Sequence, residues 1–96
     1  MITIIATLIV QEGKMDDAKA AIKEVVAKIK LDEPGCLAYV PHTVKGAGNE
    51  NVIMMYERYA DKDALKTHSA NFPKTLEKLL PLLEPGMDIK TCNEIV

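Results

Sequence analysis

The apolar run at residues 2–10 constrains the fold of this chain more than any other segment. It consists of Ile, Leu, Val and Ala, with two threonines interspersed. Its short length and β-branched content predict a β-strand. Apolar residues fall on both faces of this strand, so it needs cover on both sides. The run therefore predicts a strand that is enclosed between other layers of the protein.

A helical pattern follows the break at Gly13. Apolar residues recur at three- and four-residue spacing from Met15 to Ile29, and charged residues fall mostly between them. This spacing predicts an amphipathic helix, which Pro34 and Gly35 end.

The middle of the chain predicts a β-hairpin. Residues 36–44 form a second strand, in which Pro41 indicates an edge position or a bulge. Residues 45–51 are rich in Gly and Asn and predict the turn, and residues 52–59 form the third strand.

The C-terminal part predicts helical segments and a last strand. Asp61 is a suitable N-cap for a short helix that contains His68. A second helix is expected over residues 73–83, and residues 87–96 form the final strand. The resulting β-α-β-β-α-β order is the ferredoxin-like α+β pattern with an antiparallel sheet. Because 96 residues are too few for two cores, residues 1–96 form a single domain.

Apolar side chains point to both faces of the third strand. One sheet face packs on the helices, so a monomer would leave the other set exposed to water. A homodimer in which the sheets of two subunits face each other is the simplest arrangement that covers this exposed set. The two alternating sets are Val52, Met54 and Tyr56 on one face and Ile53, Met55 and Tyr59 on the other.

Composition and motifs exclude several classes of function. A net charge of -2 argues against general nucleic-acid binding. The two cysteines are too few for a disulfide scaffold and lack partners at zinc-site spacing. The N-terminal run lacks a basic region and is too short to cross a bilayer, so we expect a soluble, cytoplasmic protein without membrane contact. No nucleotide-binding or nucleophile-elbow motif occurs.

Chemistry-bearing residues cluster around the third strand and the following helix. His68 follows Leu65 by three residues, so both face inward, and a neutral imidazole there can exchange a proton with a phenol. The alternative is a packed histidine bonded to a backbone carbonyl. Burial of Glu57 would raise its pKa, whereas pairing with a cation would lower it. The cluster comprises Tyr56, Glu57, Tyr59, His68, Asn71 and Phe72, with Tyr39 from the neighbouring strand.

Three short motifs carry a resemblance to a known family. Residues 33–39 (Glu-Pro-Gly-Cys-Leu-Ala-Tyr), 57–61 (Glu-Arg-Tyr-Ala-Asp) and 64–68 (Ala-Leu-Lys-Thr-His) resemble the antibiotic biosynthesis monooxygenase (ABM) domain. The resemblance extends along the whole chain and is strongest to small quinol-monooxygenase-like members. It implies a homodimeric α+β barrel with a pocket between sheet and helices in each subunit.

The resemblance also implies an activity. Characterised members oxygenate phenols or quinols with molecular oxygen and without a cofactor, metal or flavin. Here His68 and Glu57 would be catalytic, and the substrate, a small aromatic or quinone-like molecule, would contact a set of mostly aromatic residues. Many relatives carry a tryptophan where Tyr59 stands, so the pocket must differ in shape. The substrate-contacting set is Tyr39, Tyr56, Tyr59, Asn71 and Phe72.

Two other functions remain open. Similar small dimeric proteins are isomerases that move protons on phosphorylated, autoinducer-type ketones, although no anion-binding motif is visible in this sequence. A non-enzymatic dimer that binds a small apolar molecule would use the same residues.

Overall fold

The computed structural model describes residues 1–96 and contains four strands and two helices in the order β-α-β-β-α-β. The predicted ferredoxin-like α+β fold is confirmed. Neither helix has the length and apolar character needed to cross a membrane. The elements are β1 (Ile2–Ile9), α1 (Met15–Asp32), β2 (Cys36–Thr43), β3 (Val52–Tyr59), α2 (Lys62–Thr75) and β4 (Asp88–Asn93).

The four strands form one antiparallel sheet in the order β2-β3-β1-β4. The apolar first strand is therefore interior in the sheet. In the single chain the helices cover only one of its two faces, so the cover predicted for the second face is not present there. Strands β2 and β4 form the edges, so Cys36 and Cys92 belong to opposite edges of the sheet. A register shift between Cys36 and Ala38 marks an irregularity at the start of β2. The edge strands are slightly shorter than predicted, since β2 ends at Thr43 and β4 covers Asp88–Asn93.

One face of the sheet packs against the helices and forms the core. The alternation predicted for β3 is confirmed, because Ile53, Met55 and Tyr59 are buried on this face. The apolar stripe of α1 packs there too, and burial of these side chains supplies the main driving force for folding. The buried residues of α1 are Ala18, Ala21, Ile22, Val25 and Ile29.

The chain after His68 differs from the prediction. A single helix, α2, continues through Pro73 to Thr75, and the expected helix over residues 73–83 does not form. Pro81 lacks the N–H that a helix interior needs, so a regular helix could not have continued through residues 81–83. A short 3₁₀ turn at Leu80–Leu82 replaces the helix. The leucines expected to form its buried stripe still reach the core, with Leu76, Leu79 and Leu83 buried and Leu80 partly buried.

The opposite face of the sheet is open. Three apolar side chains lie side by side across its strands, because Tyr56 of β3 pairs with Ile5 of β1 and with Val40 of β2. Val40 is 44% exposed and Tyr56 is 40% exposed in the single chain. The structure thus has one covered and one uncovered apolar sheet face.

Candidate active site

A cavity of about 360 Å³ lies between the sheet and α2. His68 is the one buried residue of α2, while Ala64, Leu65 and Phe72 pack against the core with part of their surface exposed. Most of the wall is apolar, with a few polar side chains among the lining residues, as is usual for ligand pockets. The lining residues are Ile4, Ala6, Leu8, Tyr39, Met55, Glu57, Leu65, His68, Ser69, Phe72, Pro73, Leu76, Met87, Ile89 and Thr91.

Local structure at the start of α2 sets the position of His68. The side chain of Asp61 accepts a hydrogen bond from the backbone N–H of Ala64 at 2.8 Å, which confirms the predicted N-cap. Ala64 and His68 are four residues apart and share one helix face. His68 therefore points from the first turns of α2 into the core.

Two buried carboxylates flank the His68 imidazole. Oε1 of Glu33 lies 3.0 Å from Nδ1, which is hydrogen-bond distance. Oε1 of Glu57 lies 3.8 Å from Nε2, which is too long for a direct hydrogen bond. Both residues line the cavity, so a ligand hydroxyl in it can approach both side chains.

Glu57 owes its position to strand β3 and to Tyr59. The Tyr59 hydroxyl donates a 2.7 Å hydrogen bond to Oε1 of Glu57 from behind the cavity wall. Burial raises the pKa of Glu57, while the Tyr59 hydrogen bond and a charged His68 oppose this increase. Burial and the nearby Glu57 also raise the pKa of Tyr59, so its phenol stays protonated and remains a donor.

Aromatic rings surround the imidazole. The ring centroids of Tyr39, Tyr59 and Phe72 lie 5.6, 5.2 and 5.9 Å from that of His68. Burial, followed by the Glu57 charge, raises the pKa of Tyr39, so it too stays a neutral phenol on the cavity wall. An aromatic ligand would thus find ring edges and faces beside an imidazole nitrogen.

The thiol of Cys36 lies next to this cluster. Burial and the charges of Glu33 and Glu57 raise its pKa to about 11. The thiol therefore stays protonated at neutral pH and lacks the thiolate that nucleophilic chemistry requires.

The structure brings most of the predicted site residues together. Tyr39, Glu57, His68 and Phe72 line the cavity, and Tyr59 lies directly behind its wall.

Two predicted residues lie elsewhere. Tyr56 is on the open face of the sheet, because consecutive strand residues point to opposite faces and its neighbour Glu57 points to the helices. Asn71 is half-buried on the flank of α2, outside the cavity wall, because the cavity-facing stripe of the helix runs through Leu65, Ser69 and Phe72.

Glu33 belongs to the site, although the sequence motifs predict no role for it. One signal could have identified it. Glu33 caps the C-terminal end of α1, where the helix dipole disfavours an acidic side chain. A carboxylate in this unfavourable place, immediately before Pro34, suggests a contact made elsewhere in the fold. Ser69 and Thr91 also line the cavity and carry no comparable signal in the sequence.

The site offers acid–base chemistry. It presents one imidazole, one carboxyl group of raised pKa and one phenol in a largely apolar cavity. No group of three or more His, Cys, Asp or Glu side chains has an arrangement that could hold a metal ion. Fold and site together define a small α+β protein with an acid–base pocket between sheet and helix.

Comparison with known proteins identifies the family. The model of the antibiotic biosynthesis monooxygenase family matches residues 1–72 of the 96. The chain belongs to this family. No curated protein sequence matches the chain at a significant level.

Solved structures agree with this assignment. A candidate antibiotic biosynthesis monooxygenase from Caulobacter crescentus CB15 is 30% identical and superposes with a TM-score of 0.84, covering 99% of this chain and 90% of its own. A conserved protein of unknown function from Bacteroides thetaiotaomicron VPI-5482 is 26% identical, with a TM-score of 0.74 over 95% of this chain and 94% of its own. A conserved protein from Methanosarcina mazei Go1, at 21% identity, shares the fold, with a TM-score of 0.81 over 97% and 91%.

Proposed function

We propose that this protein is a cofactor-independent monooxygenase that oxidises a small quinol or phenolic aromatic with molecular oxygen. One observation carries the proposal. Nε2 of His68 and Oε1 of Glu57 lie 3.8 Å apart, and both residues line the same apolar cavity, so one ligand hydroxyl placed beside the pair can contact both groups. Such a site can remove a phenolic proton in an environment that favours the subsequent electron transfer.

The reaction balances without an external reductant. A quinol C₆H₆O₂ and one O₂ give a hydroxyquinone C₆H₄O₃ and one water. The substrate loses four electrons, and oxygen accepts all four, with one oxygen atom entering the product and the other leaving as water. Deprotonation is the step that the protein promotes, because a quinol anion is a much stronger electron donor than the neutral quinol.

The roles of the residues follow from their positions. His68 accepts the hydroxyl proton through Nε2, and Glu57 orients the same hydroxyl. Tyr39 and Phe72 contact the ring, and Met55 and Leu76 exclude water. Holding the hydroxyl beside the base accelerates the proton transfer by avoiding the entropy cost of a random encounter.

Size and charge of the cavity restrict the substrate. A volume of about 360 Å³ is at the lower end of the range for ligand pockets, so a molecule of one or two rings fits. No lysine or arginine lines the cavity, and Glu57 is on its wall. A phosphorylated ketone would find no cation there, which weighs against the isomerase alternative.

We also propose that the protein is a homodimer that joins the open faces of two sheets. The row formed by Ile5, Tyr56 and Val40 leaves apolar surface exposed in the single chain. Apolar patches of this kind mark association sites, and the family resemblance implies a second copy of the chain as the partner. Tyr56 then belongs to the subunit interface.

Oxygen consumption with a panel of quinols tests the proposed activity. The panel contains a benzoquinol, a naphthoquinol and a carboxylated benzoquinol, each with a protein-free blank to subtract autoxidation. We expect uptake above the blank for the neutral compounds, one O₂ per quinol, and one ¹⁸O atom in the product under ¹⁸O₂. Hydrogen peroxide as the product would indicate an oxidase. Saturable binding without uptake above the blank would support the non-enzymatic alternative.

A further inference from the structure

The carboxylate of Glu33 contacts His68 from the side away from the cavity. Its Oε1 lies 3.0 Å from Nδ1, and both side chains are more than nine-tenths buried. Glu33 itself does not line the cavity. A carboxylate only accepts hydrogen bonds, so this contact requires a proton on Nδ1.

We propose that Glu33 is a positioning residue that holds His68 in the Nδ1–H tautomer and thereby leaves Nε2 as the proton acceptor at the cavity. The inference rests on the proposed function only for the role of Nε2 as a base. The tautomer itself is a property of the folded protein, and it can be measured without any substrate.

The backbone around Glu33 holds its carboxylate in place. The N–H of Glu33 bonds to the carbonyl of Ile29 at 2.9 Å, and its own carbonyl accepts from the N–H of Cys36 at 3.0 Å. Pro34 disfavours the helical conformation at Glu33, and Glu33 has φ -127° and ψ 77°, so α1 ends there. A carboxylate fixed in this way can orient a ring without being displaced by a ligand.

The two carboxylates near His68 have different roles. Glu57 is 3.8 Å from Nε2 and accepts a hydrogen bond from Tyr59, so it does not fix the ring. Glu33 is within hydrogen-bond distance of Nδ1. The phenols of Tyr39 and Tyr59 also pack against the imidazole and stay neutral, and the nearby Cys36 thiol stays protonated.

Nitrogen NMR of the imidazoles tests the tautomer. The chain has only two histidines, so uniform ¹⁵N-histidine labelling gives two ring systems, and His42→Gln assigns them. At a pH where His68 is neutral, we expect wild-type protein to show a protonated Nδ1 and an unprotonated Nε2. A wild-type spectrum with the proton on Nε2 would overturn the proposal without need of any variant.

The variant Glu33→Gln removes the charge and keeps the size of the side chain. We expect a mixed or reversed tautomer of His68, and a kcat about 10²–10⁴-fold lower at nearly unchanged KM, because Glu33 does not touch the substrate. Asp32→Asn is the matched control, because it converts a carboxylate to an amide at the exposed neighbouring residue. It should change neither the His68 tautomer nor kcat.

The two readouts separate this inference from the proposed function. If Glu33→Gln changes the tautomer of His68 but the wild-type protein oxidises no quinol, the role of Glu33 is supported and the proposed activity is contradicted. An active wild type together with a folded Glu33→Gln variant whose His68 keeps the wild-type tautomer would contradict the role of Glu33 and leave the activity standing.

Discussion

Gly35 lies so close to Ala64 that a Cβ atom on the glycine would be 2.6 Å from the Cβ of Ala64. Carbon atoms pack at about 3.5–4.0 Å, so only glycine permits this approach. Ala64 is one helical turn before His68, and Gly35 follows Glu33 by two residues. The close approach of residues 33–35, which follow α1, to α2 therefore sets the distance between Glu33 and His68.

Substitution of Gly35 tests this packing. Gly35→Ala should destabilise the protein by about 1–3 kcal/mol, because the new methyl group meets a helix and not a flexible side chain. Ala64→Gly removes the obstructing atom at a cost of about 1 kcal/mol in helix propensity. Urea unfolding of the double variant should show a loss smaller than the sum of the two single losses. If the stability losses of the two single variants simply add in the double variant, Gly35 and Ala64 do not restrict each other's size.

His68 is the residue on which the proposed reaction depends most. His68→Gln retains a hydrogen-bond donor for the buried Glu33 and cannot act as a base, so quinol turnover should fall about 10²–10⁴-fold with the fold intact. His42→Gln, the same change at the exposed second histidine, should keep full turnover. Near wild-type turnover of His68→Gln, measured by oxygen uptake, would remove the imidazole from the mechanism.

Glu57 gives a prediction for the pH dependence of stability. Its pKa is raised above the ordinary value of 4.5 in the folded protein, so the folded state holds this proton more tightly than the unfolded chain. The favourable contribution of protonated Glu57 to the free energy of unfolding is complete below pH 4.5. It is lost as the pH rises through the raised pKa of the folded protein. Glu57→Gln does not titrate and still accepts from Tyr59, so its free energy of unfolding should increase relative to wild type between pH 4 and pH 8.

Urea denaturation at pH 4, 6 and 8 measures this difference. Glu84→Gln, at an exposed position, serves as the control and should differ from wild type by a constant amount. A stability of Glu57→Gln that falls relative to wild type as the pH rises would show that the folded protein favours the ionised carboxylate of Glu57.

Tyr56 tests the proposed dimer. Its side chain is 40% exposed in the single chain, so Tyr56→Glu would cost little in a monomer. In a sheet-to-sheet dimer the same change buries a charge at the interface, and sedimentation at micromolar concentration should show loss of the dimer or of the fold. Ala20→Glu, on the exposed face of α1, should leave the dimer intact. A wild-type species of only about 10.6 kDa would contradict the proposal.

Local sequence patterns sufficed to predict the element order and much of the site. Alternation along β3 separates Tyr56 from Tyr59, and three-residue spacing directs His68 and Leu65 inward. These patterns depend only on residues that are close in the chain. The prediction of a helix over residues 73–83 was wrong, because leucine spacing alone does not show that α2 ends at Thr75 and that a 3₁₀ turn follows at Leu80–Leu82.

The tertiary structure alone decided which buried groups meet. Glu33 and His68 are 35 residues apart in sequence, and their contact depends on the close packing of Gly35 against Ala64. The cavity is lined by residues of all four strands and α2, an arrangement that no periodicity reveals. Periodicity determines which way a side chain points from its own helix or strand, whereas distances between elements depend on how their surfaces pack together, and those distances set the hydrogen bonds and pKa values of the site.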